Sequence, residues 1–304
     1  MALLILLTEL RTELGVAVRA VHFNHKLRGK ASDTDEKFVA ALAEKLGVTL
    51  HVGRADVAEK AAREKRNVED AARRARYSFF ARLAEQGAVD VVATAHTMDD
   101  QAETVLGHIL RGTGIAGLAG IHPMAGSVAR PLLGFRREEL RKFLHAKKQK
   151  WREDATNRDT TKVRARMRKK LLPLLVRQFN PAVIEHVAGL AARAREQGAL
   201  VDCLSQQLFT QLVSVDGNVA WIGIAELLNP LKVEQPEACE VLRAKLIQDI
   251  AERVRQRRGQ ISAGHIDSVV QLAKEGERGK RLQLPGGVDV LKKADALLFE
   301  TRKN

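Results

Sequence analysis

The first half of the chain alternates between two hydrophobic periods. Ala2 to Leu14 repeats apolar residues at helical spacing, and Gly15 stops the run. "VAVRAVHF", Val16 to Phe23, is a compact apolar run that predicts a buried strand. Ser32 caps a helix to about Leu46, with Asp33 and Asp35 in its first turn, where the helix dipole favours acids. Gly47 ends that helix, and Val48 to Val52 predicts a second strand. Asn67 opens a further helix, with Glu69 and Asp70 early and Arg73, Arg74 and Arg76 behind them. "VDVVATA", Val89 to Ala95, predicts a third strand. Strands alternating with helices predict an α/β fold: a doubly wound, mostly parallel sheet with helices on both faces. Ligands bind such sheets beyond the carboxyl ends of the strands. Two of those ends carry polar clusters: His22, Asn24 and His25 on the first, and His96 to Asp100 on the third. A parallel sheet places both clusters on one rim.

The second half changes character. "RREELRKFLHAKKQKW" predicts a basic helix ending near Trp151, followed by "REDATNRD" and "KVRARMRKKLLPLL". Pro173 and Pro181 bracket a transition, which sets the expected domains at 1–172 and 173–304. From there to about Glu275 the pattern is mostly helical, and "RLQLPGGVDVLKKADALLFET" predicts a hairpin.

Composition narrows the class. Lysine and arginine number 51 against 37 acids, a net charge of +14, which points to a polyanion and to nucleic acid first. Aromatic residues are only 4% of the chain, too few for a base-stacking platform, so recognition through shape and phosphates fits better. The two cysteines, Cys203 and Cys239, form no CxxC and no zinc pattern; a reducing cytoplasm and no bound metal are expected. The opening apolar run has no basic leader and meets Glu9 and Arg11 at once, so it is not read as a signal peptide.

Against this basic background, "AHTMDDQAET" gathers Asp99, Asp100 and Glu103. Thr97 and Asp100 match a capping box, and Asp99 is a second candidate cap. Asp100 and Glu103, three residues apart, share a helix face, while Val105, Leu106, Ile109 and Leu110 are expected to pack the other side. Dipole compensation explains one or two acids; three point to a pocket for an ammonium group or Mg²⁺. Gly112 to Gly117 matches GxGxxG but follows a helix, so it reads either as a turn that lets Arg111 approach a phosphate or as a helix stop. "RARMRKK" places Arg164, Arg166, Arg168, Lys169 and Lys170 around a helix, in keeping with phosphate contact.

In order along the chain, "VHFNHKLRGKAS", "NVEDAARRARYSFF", "AHTMDDQAETVLGHILRGTGIAGLAGI", "RPLLGFRREEL", "WREDATNRD", "RMRKKLLP" and "LPGG" resemble the tRNA(Ile)-lysidine synthetases, which are PP-loop ATPases. The resemblance implies ligation of L-lysine to C2 of the wobble cytidine in a tRNA(Ile) with a CAU anticodon, through an adenylated cytidine, with ATP and its Mg²⁺. It implies that His96, Asp99, Asp100 and Glu103 line the reaction chamber. His22, Asn24 and His25 would lie near adenosine and Arg111 near phosphate. Arg73, Arg76, Arg164, Arg166, Arg168 and Lys169 would hold the tRNA. Whether Asp100 and Glu103 receive lysine or Mg²⁺ stays open, and no oligomeric state is implied. A tRNA thiolase of the same class would carry paired CxxC motifs, which are absent.

One departure stands at the start. The Ser-Gly-Gly-x-Asp-Ser loop of the family, an anion cradle at a helix N-terminus, precedes a helix that here begins at Met1. The strand before that loop would be central. Two expectations follow: either the reading frame extends upstream of Met1, or the sheet is interrupted, ATP-dependent activity is weak, and the chain is a non-catalytic tRNA-binding remnant.

Overall fold

The computed structural model describes residues 1–65, 67–151, 163–234 and 236–302. It divides into two compact units, Met1–Ala194 and Arg195–Asn304. The division falls inside a helix, whereas the sequence pattern set its boundary at 172/173.

The first unit opens with α1 (Ala2–Leu10), whose Ala2 and Ile5 pack against Leu144. A βαβ unit follows: β1 (Ala20–Asn24), α2 (Lys30–Lys45) and β2 (Leu50–Arg54), the strands parallel with Ala20 opposite Leu50. Next come α3 (Val57–Arg63) and α4 (Val68–Glu85), the latter capped by the Asn67 side chain. β3 (Val92–Ala93) and α5 (Met98–Ile109) carry the acidic stretch. α6 (Ile115–Leu118), β4 (Met124–Ala125), β5 (Val128–Ala129) and α7 (Arg137–Ala146) follow. β5 runs parallel to β3 and antiparallel to β4.

The expected parallel sheet is therefore interrupted. β1 pairs with β2 and β3 pairs with β5, in separate sheets. Both flanking strands are shorter than their apolar runs: Val16–Phe23 contracts to Ala20–Asn24, and Val89–Ala95 to Val92–Ala93. Each of these strands is paired along one edge only, β1 with β2 and β3 with β5. Val16 and Val91, at the frayed ends, are 47% and 49% exposed.

α8 (Val163–Arg166) runs through a π-helical turn (Met167–Leu171) into α9 (Leu172–Gln178) and then α10 (Val183–Leu212). Ala102 of α5 is buried with Leu172 and Ile184, and Met98 and Leu106 pack beside them. One expectation for α5 is corrected here. Val105 is buried, but Ile109 and Leu110 are 45% and 67% exposed, because the packed stripe ends one turn before the helix does.

The second unit contains β6 (Val213–Asp216), β7 (Val219–Gly223), α11 (Ile224–Leu228), α12 (Pro236–Val254), α13 (Ala263–Glu275), β8 (Arg281–Leu284), β9 (Val288–Lys292) and β10 (Ala296–Thr301). The strands form one antiparallel sheet in the order β6-β7-β10-β9-β8. The stretch to Glu275 is mostly helical, as its pattern predicts, but the terminal hairpin is corrected to part of a five-stranded sheet. β6 and β7 join through the two-residue turn Gly217-Asn218, a hairpin signal that counting helical periods passes over. A lone hairpin is marginal in water; five strands covered by α12 and α13 bury Phe299, Ile222, Ile247 and Val269 completely.

Candidate active site at the strand ends

Thr94 follows β3, and its hydroxyl lies 3.0 Å from Nδ1 of His96. Thr97 then caps α5: the Asp100 carboxylate accepts from the Thr97 N–H at 2.9 Å and from its hydroxyl at 2.8 Å. Thr97, not Asp99, is the cap. Asp99 serves a different helix, accepting the Arg137 N–H at the start of α7 at 2.7 Å, with the Arg136 Nε 3.5 Å away. One orphan donor of α7 is satisfied across the two helix starts.

Asp100 and Glu103 share a face, as their spacing requires, and that face turns inward. The Glu103 side chain is fully buried. Three guanidinium groups surround the pair. Arg137 Nη2 lies 3.0 Å from Asp100 and 3.4 Å from Glu103. Arg164 donates to Glu103 at 2.9 Å and to Asp100 at 3.3 Å. Arg168 donates to Glu103 at 2.6 and 2.8 Å and to Asp100 at 3.2 Å. Burial pushes the Asp100 carboxyl up, but Arg137, the two Thr97 bonds and Arg164 together hold it below the usual carboxylate range. The bond to Glu103 holds Arg168 well within its charged form. The acidic cluster is thus a cation site filled by arginines of the same chain.

At the end of β1, Asn24 is buried and fully engaged: its amide donates to Asp33 at 3.2 Å and Glu36 at 2.9 Å, and its oxygen accepts from the Lys26 N–H at 2.9 Å. Asn24 shapes the turn that carries His25. His25 Nδ1 is buried without a hydrogen-bond partner. Burial lowers the proton affinity of His22, His25 and His96 alike. Arg76 adds to the effect on His25; on His96, Asp100 opposes it while Arg130, Arg164 and Arg73 add to it.

A family model described as a PP-loop domain matches residues 1–175. The chain belongs to the PP-loop family. Curated relatives named tRNA(Ile)-lysidine synthase include one from Geobacter sulfurreducens, 33% identical over 99% of this chain and 62% of its own length. Another, from Thermus thermophilus, is 38% identical over 94% of this chain and 52% of its own length. The chain spans about three fifths of the length of the curated relatives it matches first, 59% and 60% in two further cases. Among solved structures, the U34-tRNA thiolase NcsA from Methanococcus maripaludis has the same fold, with a TM-score of 0.52 at 16% identity over 64% of this chain and 69% of its own.

Within this PP-loop domain the structure gathers Asp99, Asp100, Glu103, Arg164 and Arg168, with His96 just before the start of α5, while His22 and His25 stand at the end of β1. It does not bring Arg111 to the rim. That residue is exposed just past the far end of α5, about 16 Å along the axis from Asp100. Gly112, at φ +72°, serves as the helix stop. The basic run divides by face. Arg164 and Arg168, four apart, turn in to the carboxylates, while Arg166, Lys169 and Lys170 are exposed. Arg73 stacks on Tyr77, with its guanidinium carbon 4.6 Å from the ring centre. "REDATNRD" lies outside the described residues. Arg136, Arg137 and Gln101 escaped the sequence reading. The arginines sit in a run read only as a basic helix; Gln101 is buried and clamps the loop after α6, accepting from the Ile121 N–H at 2.6 Å. The Glu139 side chain, which caps α7, is the one sequence signal that would have placed Arg136 and Arg137 at a helix start.

Proposed function

We propose that the chain ligates L-lysine to C2 of the wobble cytidine of a tRNA(Ile) with a CAU anticodon, in the cytoplasm and with ATP. ATP supplies the adenylyl group that activates the C2 oxygen, and the lysine amine then displaces AMP from the adenylated cytidine. The observation that carries this reading is the Asp100–Glu103 pair, buried beside His96 at the strand ends and holding cations. Arg164 has 48% of its side chain exposed, against 26% for Arg137 and Arg168, so an incoming ammonium group would replace Arg164 first. The similarity to relatives named for lysidine synthesis supports the same chemistry.

The nucleotide finds a fitting feature in His25, whose buried Nδ1 without a partner suits a ribose hydroxyl or ring nitrogen. His22 lies beside it, and Asn24 acts through the turn it holds. Each of the three acids already bonds arginine, so a metal at this site would have to displace one, as an ammonium group would. Mg²⁺ is assigned here to the ATP phosphates. Arg166, Lys169 and Arg73 face outward toward RNA. Among the described residues no helix is long and apolar enough to cross a membrane.

A second reading, a tRNA-binding protein of this fold without catalysis, is favoured by the interruption between β1 and β3. One assay separates the two. The chain is incubated with ATP, labelled lysine and a tRNA(Ile) transcript bearing CAU, and lysine incorporation and pyrophosphate release are followed. Incorporation lost by at least about a hundredfold in Asp100→Asn or Glu103→Gln supports the first reading. Transcript binding without incorporation supports the second, and absence of both rejects the two together.

A further inference from the structure

Arg130 is the first residue after β5, and only 7% of its surface is exposed. A buried guanidinium ordinarily faces a carboxylate, because a charge taken out of water needs a partner. The neighbouring arginines obey this rule: Arg136 bonds Glu185, and Arg137 and Arg168 bond Asp100 and Glu103. Arg130 does not. Its Nη1 donates to the His122 carbonyl at 2.7 Å, its Nε is buried without a partner, and no carboxylate among the described residues pairs with it.

Structural duty does not account for a full cation at this position. The turn from His122 to Arg130 is held by the Arg130 backbone N–H on the Pro123 carbonyl at 2.8 Å, whatever the side chain. The remaining bond, to a neutral carbonyl, is one that an uncharged amide could make.

The position is that of a ligand group. β3 and β5 are parallel, with Ala93 opposite Ala129, and the Thr94 N–H bonds the Ala129 carbonyl at 2.9 Å. Arg130 therefore leaves the carboxyl end of its strand level with Thr94, whose hydroxyl meets His96. Ligands of parallel sheets bind at this edge. The charges around it are lopsided. Four guanidinium groups, from Arg136, Arg137, Arg164 and Arg168, already neutralise the three acids of α5. Arg130 stands beyond that balance; with Arg164 and Arg73 it presses His96 toward its neutral form, behind the larger effect of burial and against the pull of Asp100.

We propose that Arg130 is an oxyanion-binding residue of the rim, its guanidinium taking a phosphate or carboxylate group of a small substrate. Within the lysidine reading, on which the choice of ligands rests, the oxyanion is a phosphate of the nucleotide or the α-carboxylate of lysine. The two share the planar, two-oxygen edge that a guanidinium fork matches.

The test compares wild type with Arg130→Gln and Arg130→Met. Calorimetry at constant ionic strength measures binding of inorganic pyrophosphate, L-lysine and cadaverine, the last being the lysine diamine without its carboxylate. Thermal unfolding is recorded alongside. Arg130→Gln is expected to melt at or above the wild-type temperature, since no ion pair is broken, and Arg130→Met somewhat lower, since it loses the bond to the His122 carbonyl. They are expected to lose about ten- to a hundredfold in affinity for one oxyanion, the size of one charge-assisted hydrogen bond. Loss confined to pyrophosphate assigns a phosphate; loss for lysine but not cadaverine assigns the carboxylate. The inference is overturned if a folded variant binds both oxyanions like wild type, if wild type binds neither, or if no neutral variant folds. Lysine incorporation by the wild type is scored separately. Its absence, with the oxyanion loss intact, removes the lysidine reading alone; normal incorporation with unchanged oxyanion binding in the variants removes this inference alone.

Discussion

Glu103 shows what one residue carries here. Its carboxylate is fully buried and bonds Arg164 and Arg168, with Arg137 at 3.4 Å. Glu103→Gln keeps the shape and removes the charge, leaving three arginines short of an acid. Urea unfolding should show a loss of about 3 kcal/mol, the low end for a broken buried pair, because the arginines keep some contact with water. Asp100 gives a pH signature. Its folded-state pKa lies below the unfolded value, so its contribution to stability is complete above about pH 4 and fades as pH falls through the folded value. Unfolding curves across the acid range should steepen there for wild type and flatten in Asp100→Asn. His96 has the same sign for a different reason. Burial favours its neutral ring, so its contribution is complete above about pH 6.5 and declines in more acidic solution; an NMR titration of the imidazole checks this.

At the scale of elements, the site depends on how the start of α5 is held. Gln101, on its first turn, reaches across to the loop after α6 and bonds both the Ala119 carbonyl and the Ile121 N–H. Gly120 sits between them at φ +61°, and a methyl group there would lie 2.8 Å from the Gln101 amide oxygen. Gly120→Ala therefore strains the backbone and displaces the clamp. A loss of about 1–2 kcal/mol in chemical denaturation is expected, with weaker lysine binding as α5 shifts. In the second unit the sheet and its helices bury Phe299 completely. Phe299→Ala should cost about 3–5 kcal/mol in stability by opening a cavity in that core.

For the whole molecule the dominant property is charge. A net +14 gives a field that attracts polyanions, and under the proposed function affinity for tRNA should fall steeply with salt. The exposed Arg166, Lys169 and Lys170 serve this field, while Arg164 and Arg168 serve the site. Replacing Arg166 and Lys170 with alanine should reduce the slope of log affinity against log salt by up to about 2. Replacing Arg164 and Arg168 should lower the unfolding midpoint as well. Filter binding at several salt concentrations, with melting curves beside it, separates the two groups.

The chemistry of the rim was legible in the sequence because it is local. Capping by Thr97, the shared face of Asp100 and Glu103, and the polar ends of two strands follow from spacings of three or four residues and from the period of apolar runs. The α/β architecture followed from the order of those runs, and the PP-loop family from the resemblance of the motifs. What the sequence by itself did not determine is where each charge finds its opposite. Arg137 meets Asp100 from 37 residues away and Arg168 meets Glu103 from 65, and no local spacing encodes such pairings. Nor does a strand record its neighbours: the periods of Val16–Phe23 and Val89–Ala95 do not say that β1 pairs with β2 and β3 with β5 in separate sheets. Tertiary structure decided which arginines face carboxylates, which face solvent, and that Arg130 faces neither, since burial and Coulomb energy depend on distance in space and not along the chain.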